Sequence, residues 1–270
     1  MQSKALLVGI NKYLLPDADL AGCVNDVTNV RDVLLKYFAF TAKSVRVVTD
    51  GRATRSRILD SLEWLVRNAS AGDRLLFHFS GHGSQVADVD GDEVKDHQDE
   101  ILCPHDMDWD GCYISDDDMA GILDKVPTGV NLEVLLDSCH SGTGTREMHG
   151  LSLLPEEMRI RQRFLAPPVD VACRMDEDME TVRLLRVNNP MKHVLFTGCR
   201  DNQTSADAWI GGTYNGAFTY YFCKHIRDAN GDISRGELIK RVRASLKFNG
   251  YSQVPQLECA TGERGKKVLE

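Results

Sequence analysis

Along the chain, short uninterrupted apolar runs alternate with longer stretches in which apolar residues recur every three or four positions. Ala5–Ile10 is a run of the first kind and predicts a strand. Cys23–Phe38 is of the second kind, with Val27, Val30, Val33, Leu34 and Tyr37 on one helical face. Ser44–Thr49 predicts a second strand. Arg55–Asn68 predicts an amphipathic helix carrying Ile58, Leu59, Leu62, Leu65 and Val66. The runs Arg74–Ser80 and Leu132–Asp137 are apolar almost throughout, as strands buried on both faces are. A short helix is expected near Asp116–Asp124. Past a long stretch without periodicity, from about Arg146 to Asn189, the pattern resumes as a strand (Lys192–Gly198), two helices (Asn215–Asp228 and Gly236–Leu246) and a closing strand (Gln256–Ala260). Strand alternating with helix predicts an α/β fold, a mostly parallel central sheet with helices on both faces.

Two strands end in reactive side chains. Arg74–Ser80 leads into Gly81-His82-Gly83, and Leu132–Asp137 leads into Ser138-Cys139-His140-Ser141-Gly142. Ligand crevices of open α/β sheets lie beyond the carboxyl ends of the strands, where His82 and Cys139 would meet. A lone histidine is more often structural, and a free cysteine more often a core hydrophobe. The two together, each beside small residues that let the backbone turn, are a nucleophile and its proton acceptor, as in a cysteine hydrolase. His140 follows Cys139 directly and would point to the opposite face.

Composition narrows the class. The 270 residues, 42% hydrophobic, suffice for one large α/β domain. The net charge is −8, and acidic residues concentrate between Asp88 and Asp118, where Lys95 is the one lysine or arginine. Such a surface repels nucleic acid and favours metal ions or basic peptides. The apolar run near Met1 is too short for a signal-peptide core or a membrane span. Eight cysteines without a C-x-x-C pair read as free thiols of a reducing compartment, so a cytoplasmic location is expected.

Ser80-Gly81-His82-Gly83 and Asp137-Ser138-Cys139-His140-Ser141-Gly142 closely resemble the histidine and cysteine motifs of metacaspases, peptidases of C14 type in the caspase-like clan. Gly22-Cys23-Val24-Asn25-Asp26, Asp90-Gly91-Asp92-Glu93, Ile114-Ser115-Asp116-Asp117-Asp118-Met119 and the segment Gly198–Ala208 resemble that family in the same order, so the likeness covers nearly the whole chain. It implies a caspase-like (caspase-hemoglobinase) fold over residues 1–270 as a single catalytic domain. A larger p20-like part (1–145) would hold His82 and Cys139, a connecting or processing segment would span 146–190, and a smaller p10-like part would span 191–270. It implies a cysteine endopeptidase acting after Arg or Lys through a Cys139/His82 dyad. The substrate pocket would be lined by Cys23, Asp26, Ser80 and Asp137. Two carboxylates near the nucleophile suit a guanidinium or ammonium group. Taken singly, Asp26 could instead cap a helix and Asp137 merely end a strand. The backbone amides of Gly83 and Cys139 are candidate oxyanion donors; no third catalytic residue stands out.

The family resemblance also implies calcium as an activator, held by Asp99, Asp116 and Asp117, with no cofactor required for the chemistry itself. Arg146 stands where many calcium-dependent members carry an aspartate, and an ordinary solvated acidic loop is the alternative. Arg159, Arg161, Arg163, Arg174, Arg183 and Arg186 offer basic sites for self-cleavage within 146–190, unless that segment gates the pocket uncut. The expected partners are protein or peptide substrates with Arg or Lys at the cut, not nucleic acid or membrane, and the expected state is a monomer. Rival readings are a latent caspase-like binding module and a clan relative with Asp or Asn specificity. Three weaker motifs are discounted: His78/His82 as zinc ligands (the segment is a strand), Gly142-Thr143-Gly144 as a dinucleotide loop, and Asp228–Glu237 as half an EF-hand. A turn and a helix cap at Ser234 explain the last better.

Overall fold

The computed structural model describes residues 1–87, 98–139, 160–172, 193–200 and 203–270. Its centre is a six-stranded sheet formed by β1 (Ser3–Gly9), β2 (Val45–Thr49), β3 (Arg74–Ser80), β7 (Asn131–Asp137), β9 (His193–Thr197) and β12 (Gln256–Glu258). Across the sheet the order is β12-β9-β7-β3-β1-β2. All neighbours are parallel except β12, which closes one edge antiparallel to β9. β3 and β7 are buried along nearly their whole length, which is why both read as continuous apolar runs.

Side chains alternate across this sheet and feed two cores. On one face Leu6, Val8, Phe77, Phe79, Val134 and Leu136 pack with Ile58, Leu62 and Leu65 of α2 (Arg55–Val66) and Met119 and Leu123 of α3 (Asp116–Leu123). On the other, Ala5, Leu7, Leu76, Leu135, Val194 and Phe196 pack with α1 (Cys23–Tyr37), α5 (Ala217–Asp228) and α6 (Arg235–Phe248). Each fully buried Leu, Val or Phe contributes about 1.5–3 kcal/mol. Helix starts follow local chemistry: the side-chain oxygens of Thr54, Ser115 and Ser234 accept hydrogen bonds from the N–H groups of Arg57, Asp118 and Glu237.

Two small antiparallel sheets were not visible in the periodicity. One joins β4 (Gly83–Ala87), β5 (Gln98–Leu102) and β6 (Ile114–Ser115). The acid-rich stretch is therefore partly strand and partly the start of α3, not one loop; residues 88–97 lie outside the described residues. The other joins β8 (Arg161–Gln162), β10 (Ala206–Ile210) and β11 (Thr213–Gly216). Part of the supposedly aperiodic connection is thus ordered as β8 and α4 (Val169–Ala172), whereas 146–159 and 173–190 lie outside the described residues. The closing strand is shorter than expected, ending at Glu258.

Candidate active site

Parallel register sets Ser80 of β3 beside Asp137 of β7, and His82 and Cys139 each lie two residues further on. At Gly81 the chain bends so closely that a Cβ would lie 2.7 Å from the Tyr13 hydroxyl, which only glycine allows. That same Tyr13 hydroxyl accepts the His82 backbone N–H at 2.8 Å, and the two rings lie 5.0 Å apart.

His82 is buried, and its Nε2 sits 2.8 Å from the Ala18 carbonyl oxygen. A carbonyl only accepts, so Nε2 carries the hydrogen and Nδ1 is left as a bare lone pair. Nδ1 is buried without a hydrogen-bond partner among the described residues. Burial pushes the His82 pKa down to about 4, so at neutral pH the ring is uncharged and able to take a proton. Cys139 is fully buried. Its sulfur receives the Ser205 N–H and lies 3.8 Å from both the Ser205 carbonyl oxygen and the Cys199 sulfur.

Between these two groups lies a piece of the chain itself. The Arg163 carbonyl oxygen accepts from the Gly83 N–H at 3.0 Å and the Cys139 N–H at 3.2 Å. Those are the two amides singled out as oxyanion donors. Upstream, the Arg163 N–H donates to the Ser205 carbonyl at 3.1 Å, and β8 runs antiparallel to β10. The Arg161 guanidinium donates to the Asp19 carbonyl at 2.9 Å and lies over the Tyr214 ring.

The Arg163 side chain is fully buried among three carboxylates. Its Nη2 lies 2.7 Å from Asp26 Oδ2 and 3.2 Å from Asp207 Oδ1, and its Nη1 lies 3.2 Å from Asp137 Oδ2. Nη1 also donates to Ser80 Oγ at 2.8 Å. The carboxylates are themselves fixed. The Gly216 N–H and Ser80 Oγ–H donate to Asp26, Thr219 and Ser205 hydroxyls to Asp137, and the Ala21 N–H to Asp207. Burial, outweighing the attraction of Arg163 and aided by repulsion from Asp137, raises Asp26 to about 7. Burial works against the Arg163 charge too, yet Asp137, Asp26 and Asp207 raise the guanidinium further. Three carboxylates thus surround one buried guanidinium.

Cys23, Asp26, Ser80 and Asp137 are thus brought to one pocket with His82 and Cys139 above it. Cys23 forms an inert wall there, since burial pushes its thiol pKa up. Sequence reasoning missed Asp207, Ser205, Tyr13, the Ala18 carbonyl and Gln253. The Gln253 side chain ties Gly198, Ser205 and Ala206 together. Asp207 and Ser205 stood in a motif already noted; the others carry no sequence signature. Asp99 lies on β5, with Asp116 and Asp117 in the first turn of α3. No group of three or more His, Cys, Asp or Glu that could hold a metal occurs among the described residues. The seven described cysteines are free thiols. Among the described residues no helix is long and apolar enough to cross a membrane.

A family model for the metacaspase peptidase C14 domain matches residues 3–146. Metacaspase-1 of Schizosaccharomyces pombe is 34% identical, covering 95% of this chain and 67% of its own length. Metacaspase-1 of Eremothecium gossypii is 32% identical, with coverage of 95% and 64%. The chain therefore spans about two-thirds of the length of these curated relatives. Among solved structures, protein GSU0716 from Geobacter sulfurreducens superposes with a TM-score of 0.71 at 25% identity, covering 100% of both chains. Caspase-1 from Spodoptera frugiperda does so with a TM-score of 0.61 at 15% identity, covering 99% of this chain and 91% of its own, which speaks for the fold alone.

Proposed function

The chain belongs to the metacaspases, cysteine-type endopeptidases of the C14 type, and from that premise we propose that it cleaves peptide bonds after arginine, and after lysine less well. Cys139 is the nucleophile and His82 its proton acceptor. The observation that carries this reading is the seat of Arg163: guanidinium among Asp26, Asp137 and Asp207, carbonyl oxygen on the Gly83 and Cys139 amides. That is how the residue before a scissile bond must lie for acyl transfer to a thiol.

In the proposed reaction the Cys139 sulfur attacks the carbonyl carbon after its proton passes to Nδ1 of His82. The oxygen gains charge where two N–H groups already point. Nδ1–H then protonates the departing amine, leaving a thioester on Cys139. Water then gives a proton to Nδ1 as its oxygen attacks the thioester carbon; the C–S bond breaks, the acid product leaves, and Nδ1–H returns the proton to the Cys139 sulfur. The Ala18 carbonyl holds the ring in the tautomer that both transfers need. Lysine would place one ammonium where the guanidinium makes several directed contacts, hence its lower rank. By the same seat, the Arg163–Phe164 bond is the proposed self-cleavage site, chosen from six candidate arginines because it alone among those described reaches the carboxylates.

The test compares this chain with Cys139→Ala on fluorogenic peptides ending in Arg, Lys, Asp or Asn, alongside intact-mass analysis of the protein. Hydrolysis after Arg that disappears in the variant, with a cut after Arg163, supports the reading. Hydrolysis after Asp or Asn, or Arg cleavage persisting without Cys139, overturns it.

A further inference from the structure

Resting on that reading, the segment seated in the cleft also shows what lies beyond the scissile bond. Up to Arg163 the chain is held by β10, antiparallel. At the Arg163–Phe164 bond it changes partner: Gly83 of β4 pairs with Phe164 in a parallel bridge. The Gly83 carbonyl accepts the Leu165 N–H at 3.0 Å, and the Ser84 hydroxyl donates to the Leu165 carbonyl at 2.6 Å. Ser84 is fully buried, and the Leu165 side chain packs against the core cluster that includes Phe77, Phe79 and Val86.

We infer that β4 is a recognition edge for the leaving half of the substrate, and that the second residue after the cut is selected for an apolar side chain. The physics is that of a peptide completing a sheet edge: main-chain hydrogen bonds supply affinity and alternate side chains supply selectivity. One N–H acceptor (Gly83) and one donor (Ser84) are both used by the same residue, the second after the cut. This residue therefore carries two directed bonds and an apolar contact, while its neighbours carry fewer. Substrates that end at the arginine, with a dye as leaving group, forgo all three.

The experiment uses the full chain and internally quenched peptides built on Ile-Arg-Gln-Arg-Phe-Leu-Ala. In one, Leu is replaced by Asp; in another, the Phe–Leu amide becomes an ester, which deletes the N–H that would donate to Gly83. The seated segment competes equally with every peptide, so it cancels in ratios of kcat/KM. The ester is expected to be cut after Arg about fivefold more slowly, as for one lost hydrogen bond, and the Asp peptide at least about tenfold more slowly, as for a carboxylate forced against an apolar wall. Ser84→Ala should shrink the advantage of the parent peptide over one ending in an arginine-linked dye. Equal rates after Arg for all quenched peptides overturn the inference but leave the proposed function standing. No cut after Arg in any of them overturns both.

Discussion

Replacing Arg163 by Ala, in a Cys139→Ala background that prevents self-cleavage, removes the guanidinium that pairs with Asp26, Asp137 and Asp207. Three contacts of 2.7, 3.2 and 3.2 Å vanish inside a fully buried pocket. Removing one partner of a buried ion pair costs about 3–5 kcal/mol, because the remaining charge stays desolvated. For a chain of this size that corresponds to a fall in Tm of about 5–15 °C. The full value applies while the segment stays seated; if it peels away and water enters, the loss is capped at the free energy of unseating. The pH dependence has a definite sign. The unfolded carboxylates ionise near pH 4. Asp26 already titrates at about 7 with Arg163 present, and it loses the attraction of that guanidinium in the variant. At pH 5 the variant escapes much of the cost by holding protons; at pH 8 it cannot. The Tm gap between the chain that keeps Arg163 and its Arg163→Ala variant should therefore widen from pH 5 to pH 8, read by thermal denaturation in matched ionic strength. A gap that is absent, or that narrows as pH rises, refutes the argument.

Gly216→Ala should block the pocket at some cost in stability while keeping the secondary structure, since a Cβ there would lie 2.2 Å from Asp137 Oδ2 and 2.6 Å from Arg163 Nη1. Arginine peptides should lose about a hundredfold in kcat/KM, as expected when a reacting group is displaced by an ångström; far-ultraviolet circular dichroism should stay at the parent level. His82 and His78 are buried with pKa values lowered to about 4, so each folded ring refuses a proton that the unfolded chain takes up near 6.5. Stability is then fully present above 6.5 and is lost as pH falls toward 4, by about 3 kcal/mol per ring. Asp26, whose pKa is raised, pulls the other way as pH rises toward 7. Urea unfolding at pH 7 and pH 5 should show a shallower acid loss in His82→Asn. At the opposite end of the sheet, Arg235 is buried against Glu133 at 2.9 Å and meets Glu263 at 2.6 Å. Arg235→Met should lower stability by about 3–5 kcal/mol, and Glu133→Leu in the same chain should restore part of it, as a double-mutant cycle would measure.

Much of this fold could be read from residue spacing, and the reasons are local. β1, β3 and β7 are buried on both faces, so nearly every position must be apolar. α1 and α2 each offer one face to a core, so their apolar residues recur at helical spacing. β8, β10 and β11 gave no such signal because they are short and their side chains serve the cleft. Asp207 and Asn215 are polar residues buried at strand positions. Among candidate site residues, those with unusual side chains in tight turns stood out: His82 between glycines, and Cys139 before small residues. What stayed hidden was work done by the backbone. No letter in the sequence marks the Ala18 carbonyl that orients His82 or the Ser205 main chain that holds both Cys139 and Arg163. Arg163 itself was one of six arginines in an irregular stretch, and only the folded register brings it to three carboxylates.

The parallel ladder between β7 and β9 has a consequence for molecular integrity. Residues 1–163 supply β1 to β8, and residues 164–270 supply β9 to β12 with α5 and α6. Yet β9 lies against β7, β10 against β8, and α5 against α1, so the two halves interlock in the central sheet, in the β8–β10–β11 sheet and in one helix layer. A break after Arg163 would sever covalent continuity and leave the architecture whole. The nicked chain should run at its original hydrodynamic size in native buffer and part into two polypeptides only in denaturant. By the same logic the halves, expressed as separate chains, should find each other and fold as an obligate non-covalent heterodimer.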